Sequence, residues 1–306
     1  DNRNFLSRFS ESAEILDIAH YINYPLTRKK AKRLLATKIN SVNHAVCFGS
    51  NAGLLYDLIP VLSKQVKVID LIHAFKYQAG ANLAHRKLLS LATRFDERIF
   101  VSGYAMKEFS EFYFRNNVPE LYSGRLRVID NAVRIPDSKI NSSVDRPGIL
   151  FVGRDSPEKR VELFLEIAKL LETELPGKFR FTVVGNVSND SSFPFVNFVG
   201  EIVDDNLLNA IYDQHDILVL TSSREGFPVV IMEAMSHQLA VIATPVGDIP
   251  NRLNDTNGIV LSSAEAKSVV IETVKQIKWL TSSPETLKGL QDEAYRFACE
   301  NFSEQK

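Results

Sequence analysis

The segment that decides how this chain is interpreted reads Ser222-Ser223-Arg224-Glu225-Gly226-Phe227-Pro228-Val229-Val230-Ile231-Met232-Glu233-Ala234. The apolar run just before it predicts a strand that ends at Leu220. Proline fixes φ near the helical value and lacks an N–H, so it suits the first position of a helix. We therefore predict a loop over residues 222–227 and a helix over residues 228–237. The start of this helix presents unpaired N–H groups and the positive end of the helix dipole, which favour an anion such as phosphate.

Two glutamates flank this helix start. Glu225 lies in the predicted loop and Glu233 lies eight positions later on the predicted helix, so both are near the same spot. Carboxylates accept charge-assisted hydrogen bonds, and a pair of them beside an anion site suits a ligand rich in hydroxyl groups. The pattern therefore favours a sugar nucleotide. The alternative, which is the commoner one for a bare glutamate pair, is that Glu225 caps the helix and Glu233 is a solvated surface residue.

Length and composition set the broad class. The chain has 306 residues, of which 45% are hydrophobic and 24% are charged, as expected for a globular protein with room for two domains. The formal net charge of −1 gives no basic field that would attract nucleic acid. Its two cysteines have apolar neighbours and are expected to be small core residues, not a disulfide or a metal pair. We find no apolar run long enough to span a membrane and no signal peptide.

Strand-like and helix-like runs alternate along the whole chain, which predicts βα units and parallel sheets. The predicted strands cover residues 14–19, 45–48, 66–72, 98–102, 127–129, 148–152, 180–184, 196–199, 217–220, 240–243 and 259–261. The predicted helices cover residues 27–39, 52–64, 105–114, 157–175, 207–214, 264–280 and 284–301. A polar stretch over residues 140–147 ends in proline and predicts a linker. We therefore expect two domains, over residues 1–140 and 147–306.

One basic cluster stands out in the first half. Arg28-Lys29-Lys30 and Lys32-Arg33 lie in the predicted helix over residues 27–39. A run of this kind is more often a solvated helix face than a binding surface. Contact with a membrane or an acidic acceptor is the alternative interpretation.

The second half carries a series of short motifs. In order, they are Phe151-Val152-Gly153-Arg154, Lys159, Val183-Val184-Gly185, Phe198-Val199-Gly200-Glu201, the glutamate segment, and Ala243-Thr244-Pro245-Val246-Gly247. Each motif is weak alone, but their order and spacing make a strong combined signal. From Gly148 onward the chain resembles the retaining glycosyltransferases of the GT-B fold, specifically glycosyltransferase family 4 (glycosyl transferases group 1). The resemblance implies an α/β protein with two Rossmann-like βαβ domains facing a cleft.

The first half departs from the family pattern. A complete member begins with a strand and a Gly-rich loop, which we do not find here, so we expect an N-terminal domain that is incomplete at its start. The family ends with a helix that returns to the first domain, and this chain stops about where that return should begin. His73 follows a predicted strand at a position where the family often has a histidine near the donor sugar. A structural role is an equally good interpretation of this residue.

By resemblance, the cationic motif residues bind the diphosphate. Arg154 and Lys159 are expected to stabilise the leaving diphosphate, with Lys159 in the first turn of the helix over residues 157–175. The alternative is a solvated basic helix start. The resemblance also implies that Glu225 contacts the donor sugar and that Glu233 binds the ribose hydroxyls.

The remaining predicted site residues act through the backbone or by shape. Gly153 would let the backbone approach the ligand. Gly185 is a second candidate for ligand binding, and a simple turn is its alternative role. The stretch from Val199 to Ile202 resembles the lining of the nucleobase pocket. Further residues of the glutamate segment would shape the loop near the sugar and the phosphates: Gly226, Phe227 and Pro228.

The resemblance implies a metal-independent hexosyltransferase-like enzyme without a cofactor. Asp204-Asp205 is expected to start a helix and not to bind a metal. The donor would be a UDP-, GDP- or ADP-sugar, and the acceptor a glycan or lipid-linked hydroxyl in surface polysaccharide or glycolipid synthesis. Such an enzyme would work in the cytoplasm, where it could also touch the inner membrane face. The alternatives are a nucleotide-sugar epimerase or phosphorylase on the same fold, or a non-catalytic nucleotide-sugar-binding protein.

Overall fold

The computed structural model describes residues 12–50, 52–73, 75, 83–136 and 146–305. The chain divides into two compact units, Asp1–Ile129 and Asp130–Lys306. Each unit has its own parallel β-sheet and its own hydrophobic core. The polar stretch over residues 140–147, predicted to be a linker, lies mostly outside the described residues.

The first unit contains a four-stranded parallel sheet in the order β1-β2-β3-β4. The strands are β1 Val46–Ser50, β2 Lys67–Ile72, β3 Glu97–Phe100 and β4 Leu126–Val128. Its helices are α1 Ala19–Asn23, α2 Pro25–Asn40, α3 Gly53–Leu58, α4 Leu83–Ser90, α5 Gly103–Arg115 and α6 Glu120–Ser123. Side chains alternate along β2, with Val68, Asp70 and Ile72 buried on one face, because successive residues of a strand point to opposite faces.

Two elements of the first unit differ from the sequence prediction. The strand predicted over residues 14–19 is wrong, because residues 14–18 have no regular structure and α1 begins at Ala19. A short apolar run does not distinguish a strand from other structure, and here Ile15 and Leu16 stay exposed. The helix predicted over residues 52–64 ends earlier, at Leu58, and a 3-10 turn over Ile59–Val61 follows it around Pro60.

A buried ion pair crosses the sheet of the first unit. Asp70 and Arg98 are register partners on β2 and β3, and their side chains are 0% and 1% exposed. Arg98 Nη1 lies 3.9 Å from Asp70 Oδ2, and the guanidinium carbon lies 3.8 Å from the centre of the Phe95 ring. The Tyr56 hydroxyl donates to both Asp70 oxygens, at 2.9 and 3.1 Å. Burial raises the pKa of Asp70 and lowers the pKa of Arg98.

The second unit contains a six-stranded parallel sheet in the order β10-β9-β8-β5-β6-β7. The strands are β5 Gly148–Val152, β6 Arg180–Val184, β7 Val196–Gly200, β8 Ile217–Leu220, β9 Ala240–Ala243 and β10 Ile259–Val260. The chain adds β6 and β7 on one side of β5 and then β8 to β10 on the other side. The topological switch point, where ligands bind in open α/β sheets, therefore lies between β5 and β8.

Helices cover both faces of this sheet. They are α7 Val161–Glu174, α8 Asp205–Asp213, α9 Val229–Ser236, α10 Ile249–Arg252, α11 Ala266–Leu280 and α12 Pro284–Asn301. Alternate β5 residues serve the two faces: Ile149 and Phe151 pack with α7 and α11, whereas Leu150 packs with α9 and α12. Burial on both faces explains why these strands are near-continuous apolar runs in the sequence.

Residues just after β4 belong to the second unit. The Val133 amide donates to the Phe302 carbonyl at 2.8 Å, and the Glu304 amide donates back to the Val133 carbonyl at 3.2 Å. Val133 is thus paired with the chain that follows α12.

Candidate functional site

The sequence motifs lie at one edge of the second sheet. Because all six strands are parallel, their carboxyl ends point to the same edge. Gly153 and Arg154 follow β5, Gly185 follows β6, and Glu201 follows β7. The loop over residues 221–228, called the glutamate loop below because it carries Glu225, follows β8. The segment that ends at Gly247 follows β9.

At this edge an ion pair bridges the switch point. Lys159, in the loop after β5, places its Nζ 2.6 Å from Oε1 of Glu225, in the loop after β8. The two side chains are only 16% and 11% exposed. The two strands that carry these loops are hydrogen-bonded neighbours, so the fold itself brings together two residues that are 66 positions apart.

Backbone contacts hold the two loops together. The Ser223 amide donates to the Glu158 carbonyl at 2.7 Å. The Thr221 hydroxyl contacts the carbonyl oxygens of Lys159 and Arg160, at 2.9 and 3.0 Å. The position of Lys159 relative to Glu225 is therefore fixed by hydrogen bonds to main-chain carbonyl oxygens as well as by the ion pair.

Arg160 anchors this arrangement and was not predicted. Its guanidinium donates to the carbonyl oxygens of Thr221 at 2.6 Å, Ser222 at 3.2 Å and Ala264 at 2.7 Å. Its backbone is left-handed, with φ of 52°. In a single sequence nothing distinguishes this arginine from a solvated one, because its partners lie far along the chain.

Lys159 itself lies ahead of the helix, not in its first turn as predicted. The helix α7 begins at Val161, and residues 157–159 form a turn. The left-handed Arg160 separates the turn from the helix, because that conformation does not continue an α-helix.

Two glycines allow close packing at this edge. A Cβ at Gly247, where φ is 61°, would lie 2.3 Å from the Glu225 carbonyl oxygen. The next amide, that of Asp248, donates to the Gly226 carbonyl at 2.8 Å, so the turn after β9 supports the glutamate loop. A Cβ at Gly185, where φ is 135°, would lie 1.8 Å from the Gly153 carbonyl oxygen. Both positions require glycine for steric reasons.

The loop residues before α9 have separate roles. Phe227 is a core residue, 3% exposed, with its ring centre 5.4 Å from that of Phe302. Pro228 was predicted at the first helical position, but it is the N-cap residue with an extended ψ of 131°, and α9 begins at Val229. The first N–H groups of α9, from Val229 and Val230, have no acceptor within the helix.

Glu233 lies on α9 and is held by a tyrosine. Its Oε2 accepts a hydrogen bond of 2.7 Å from the hydroxyl of Tyr212, which is buried. Burial raises the pKa of Glu233, and the hydrogen bond from Tyr212 and the proximity of His237 offset part of that rise. Tyr212 was also missed in the sequence, since a buried helical tyrosine reads as an ordinary core residue.

The other predicted side chains are more dispersed. Arg154 is 79% exposed, and its Nη2 lies 3.7 Å from Glu158 Oε1. Val199 is accessible on β7, whereas Ile202 packs against the core that contains α9. Of the residues predicted to bind the donor, the structure thus places Lys159 and Glu225 in direct contact. The roles assigned to Arg154, Val199 and Ile202 stay predictions.

His73 belongs to the first unit. It follows β2 and is exposed, and its Nε2 lies 2.7 Å from the hydroxyl oxygen of Ser50 at the end of β1. The histidine therefore lies at the carboxyl edge of the first sheet, and its role beside a donor sugar stays a prediction.

The acidic pair Asp204-Asp205 starts α8, as predicted. The Asp204 side chain caps the helix by accepting from the amides of Asn206 at 2.8 Å and Leu207 at 3.1 Å. Across the described ranges, His, Cys, Asp and Glu side chains do not gather in a group of three or more that could hold a metal ion. In the same part of the chain, no helix is both long and apolar enough to cross a membrane.

Comparisons with known proteins show which families and folds this chain resembles. A family model described as Glycosyl transferases group 1 matches residues 146–278. The trehalose synthase of Rubrobacter xylanophilus is 27% identical over 143 residues, which cover 41% of this chain and 34% of that protein. The putative colanic acid biosynthesis glycosyl transferase WcaC of Escherichia coli K12 is 25% identical over 235 residues, which cover 72% of this chain and 51% of WcaC. The chain thus spans between a third and a half of these two relatives.

The fold is shared more widely. The crystal structure of Anabaena HepE in complex with UDP matches with a TM-score of 0.70 and 16% identity, covering 92% of this chain and 81% of HepE. The chain therefore has the α/β fold of the GT-B glycosyltransferases. Within it, residues 146–278 are the part of the chain that resembles the glycosyl transferases group 1 family.

Proposed function

We propose that this protein is a retaining glycosyltransferase that moves a sugar from a nucleoside diphosphate sugar to an acceptor hydroxyl. The observation that carries the proposal is the Lys159–Glu225 ion pair at the switch point of the second sheet. It places one cation and one carboxylate beside the start of α9, inside the segment that matches the group 1 family. A cation and free N–H groups suit a diphosphate, and a carboxylate suits sugar hydroxyls.

The residues have distinct roles in the proposed reaction. The bond between the anomeric carbon and the diphosphate oxygen breaks, and the diphosphate gains negative charge. Lys159, Arg154 and the N–H groups of α9 stabilise that charge, which develops mainly in the transition state. Glu225 accepts hydrogen bonds from the donor sugar, and Glu233 accepts them from the ribose. The acceptor oxygen bonds to the same face of the anomeric carbon, and its proton passes to the departing diphosphate.

The donor and acceptor are proposed only as classes. The bound UDP of HepE supports a nucleoside diphosphate donor, and UDP-, GDP- and ADP-sugars all remain in the proposal. No cofactor or metal ion takes part in it. The name of WcaC, a putative colanic acid biosynthesis glycosyl transferase, supports a glycan acceptor. A lipid-linked acceptor, a role in surface polysaccharide or glycolipid synthesis and a reaction in the cytoplasm are further parts of the proposal.

Calorimetry followed by a turnover assay tests this proposal. We expect the wild-type protein to bind one class of nucleotide sugar and to release the nucleoside diphosphate only when an acceptor is added. Glu233→Ala should weaken donor binding about tenfold or more, because a hydrogen bond to a charged group is lost. Arg154→Ala should lower turnover by roughly 100-fold, as expected for a donor to developing negative charge.

Lys169→Ala is the matched control, because Lys169 is an exposed lysine on α7 in the same unit. It should change neither property. If the wild-type protein binds no nucleotide sugar, the proposal is wrong. Binding without turnover would favour a binding protein, and interconversion of the donor itself would favour an epimerase.

We also propose that the first unit contacts the inner membrane face through α2. Lys29, Lys30 and Arg33 are exposed on this helix, and Leu34 beside them is 62% exposed. Arg28 and Lys32 instead pair with Asp57. Exposed cations beside an exposed apolar side chain suit an anionic lipid surface.

Vesicle flotation tests the membrane proposal. Replacing Lys29, Lys30 and Arg33 by glutamate should abolish binding to anionic vesicles, since each basic residue contributes about 1 kcal/mol near such a surface. The same change at three exposed lysines of the second unit, Lys169, Lys267 and Lys275, should have a much smaller effect. Equal losses in both variants, or no binding by the wild type, would rule out α2 as the contact surface.

A further inference from the structure

The carboxylate of Glu233 is held by a buried aromatic cluster that the proposed reaction does not use. Tyr212, on α8, is fully buried, and its hydroxyl donates to Glu233 Oε2 at 2.7 Å. Burial and the adjacent carboxylate raise the pKa of Tyr212 well above its ordinary value, so this side chain remains a hydrogen-bond donor.

The tyrosine ring is itself fixed in place. It stacks on the ring of His237, with the ring centres 5.4 Å apart and the planes 22° apart. His237 is also buried, and its Nδ1 lies 2.7 Å from Asp213 Oδ1. Tyr212 and Asp213 of α8 therefore both contact His237, which follows α9. The tyrosine ring is fixed by this packing, and its hydroxyl donates to Glu233.

In this arrangement the two carboxylate oxygens of Glu233 differ in their hydrogen bonding. Oε2 is occupied by Tyr212, whereas Oε1 receives no hydrogen bond from the described residues. A carboxylate held by one oxygen has lost its rotational freedom before a ligand arrives, and preorganisation of this kind strengthens binding. The second oxygen is then oriented to accept from one ligand hydroxyl.

We propose that Tyr212 is a positioning residue that fixes Glu233 so that its Oε1 selects donors with a ribose hydroxyl over their deoxy counterparts. This inference rests on the proposed function, which assigns Glu233 to the ribose. It adds that Tyr212 controls the discrimination between ribose and deoxyribose, and that Oε1 of Glu233 makes the discriminating contact. Tyr212 does not touch the donor and acts only through Glu233.

The test compares nucleoside diphosphates that differ by one hydroxyl. Binding of UDP, GDP and ADP, and of their 2′-deoxy and 3′-deoxy forms, is measured by calorimetry for the wild type and for Tyr212→Phe. We expect the wild type to prefer one ribonucleotide over one of its deoxy forms by about tenfold or more. Tyr212→Phe should bind the deoxy form with the wild-type affinity and lose most of this preference.

A second readout is the pH dependence of ribonucleotide binding. The groups that face Glu233 are Tyr212, His237 and Asp205, and Asp213 faces His237. Removal of the tyrosine hydroxyl removes a bond that lowers the pKa of Glu233, so its pKa should rise further. Since the ionised carboxylate is the better acceptor, the loss of binding on acidification should begin at a higher pH in Tyr212→Phe.

Tyr56→Phe is the matched control. It removes the same kind of bond, from a tyrosine hydroxyl to the Asp70 carboxylate, but in the first unit. It should leave the ribose preference and the pH profile unchanged. Asp213→Asn weakens the contact with His237 and leaves the tyrosine in place, so it should reduce the ribose preference in part. It is the second variant to use if Tyr212→Phe does not fold.

The outcomes separate this inference from the proposed function. If the wild type binds none of the nucleoside diphosphates, both are overturned. If the wild type prefers the ribonucleotide and Tyr212→Phe keeps both that preference and the pH profile, only the role of Tyr212 is overturned. If Tyr56→Phe has the same effect as Tyr212→Phe, the effect is a general loss of stability and the inference is also wrong.

Discussion

At the scale of single residues, Arg98 and Asp70 form a buried ion pair in the first unit. The guanidinium stacks on Phe95, and among the described residues its nitrogen atoms make no hydrogen bond. The attraction between the two charges at 3.9 Å therefore has to offset the desolvation of both. Buried pairs of this kind contribute little net stability when intact but leave a costly charge when one partner is removed.

Asp70→Asn should therefore destabilise the first unit by about 3–5 kcal/mol, because Arg98 would be buried without a counter-charge. Replacing both residues by apolar ones, as Asp70→Leu with Arg98→Met, should cost less than Asp70→Asn, because no buried charge is left and only the Tyr56 hydroxyl loses its partner. Urea unfolding followed by circular dichroism measures both effects. The control is Glu97→Gln, which breaks the exposed pair with Arg127 next to Arg98 and should cost less than about 1 kcal/mol. A double variant less stable than Asp70→Asn would contradict this account.

At the scale of elements, the loop between β8 and α9 depends on the turn after β9. Gly247 has a left-handed backbone and lies against the carbonyl oxygens of Glu225 and Gly226, so the turn and the loop pack without room for a side chain. The Asp248 amide adds a hydrogen bond to the Gly226 carbonyl. The position of Glu225 is therefore set by two neighbouring loops and by Lys159.

Gly247→Ala should displace the glutamate loop. We expect a loss of about 1–3 kcal/mol in the free energy of unfolding from backbone strain, and weaker binding of nucleoside diphosphates because Glu225 moves. Gly177→Ala is the matched control, since Gly177 has a similar φ of 68° and open space around its Cβ position. It should show the strain without the loss of binding. Equal effects on binding would mean that Gly247 does not support the loop.

Which elements could be predicted follows from their burial. The strands β5, β6, β8 and β9 have the bounds that the sequence predicts, because they are short apolar runs buried on both faces and bounded by polar or turn residues. Residues 14–18 misled the prediction because Ile15 and Leu16 have the composition of a strand but are exposed. The start of α7 could not be predicted, since Arg160 takes its left-handed conformation from acceptors more than sixty residues away.

For the whole molecule, the sequence predicts two successive parallel-sheet units, and the structure contains them. The site was predicted only in part. The motif order indicated which loops meet at the sheet edge, but the contact between Lys159 and Glu225 depends on β5 and β8 being neighbours. Strand order is a property of the complete fold, and no local pattern around either residue specifies it. The pairing of Tyr212 with Glu233 is hidden for the same reason.

The closeness of Lys159 to Glu225 also bears on how a charged ligand would approach the protein. An ammonium group with a carboxylate at 2.6 Å acts at longer range as a dipole and not as a free positive charge. The chain as a whole carries a formal charge of −1, so it adds little long-range attraction for an anion. Ionic strength should consequently have only a modest influence on the association rate, since fields from such sources decay within about 10 Å. Binding at this site would then depend on short-range contacts formed after collision, because long-range electrostatic attraction would add little to the association rate.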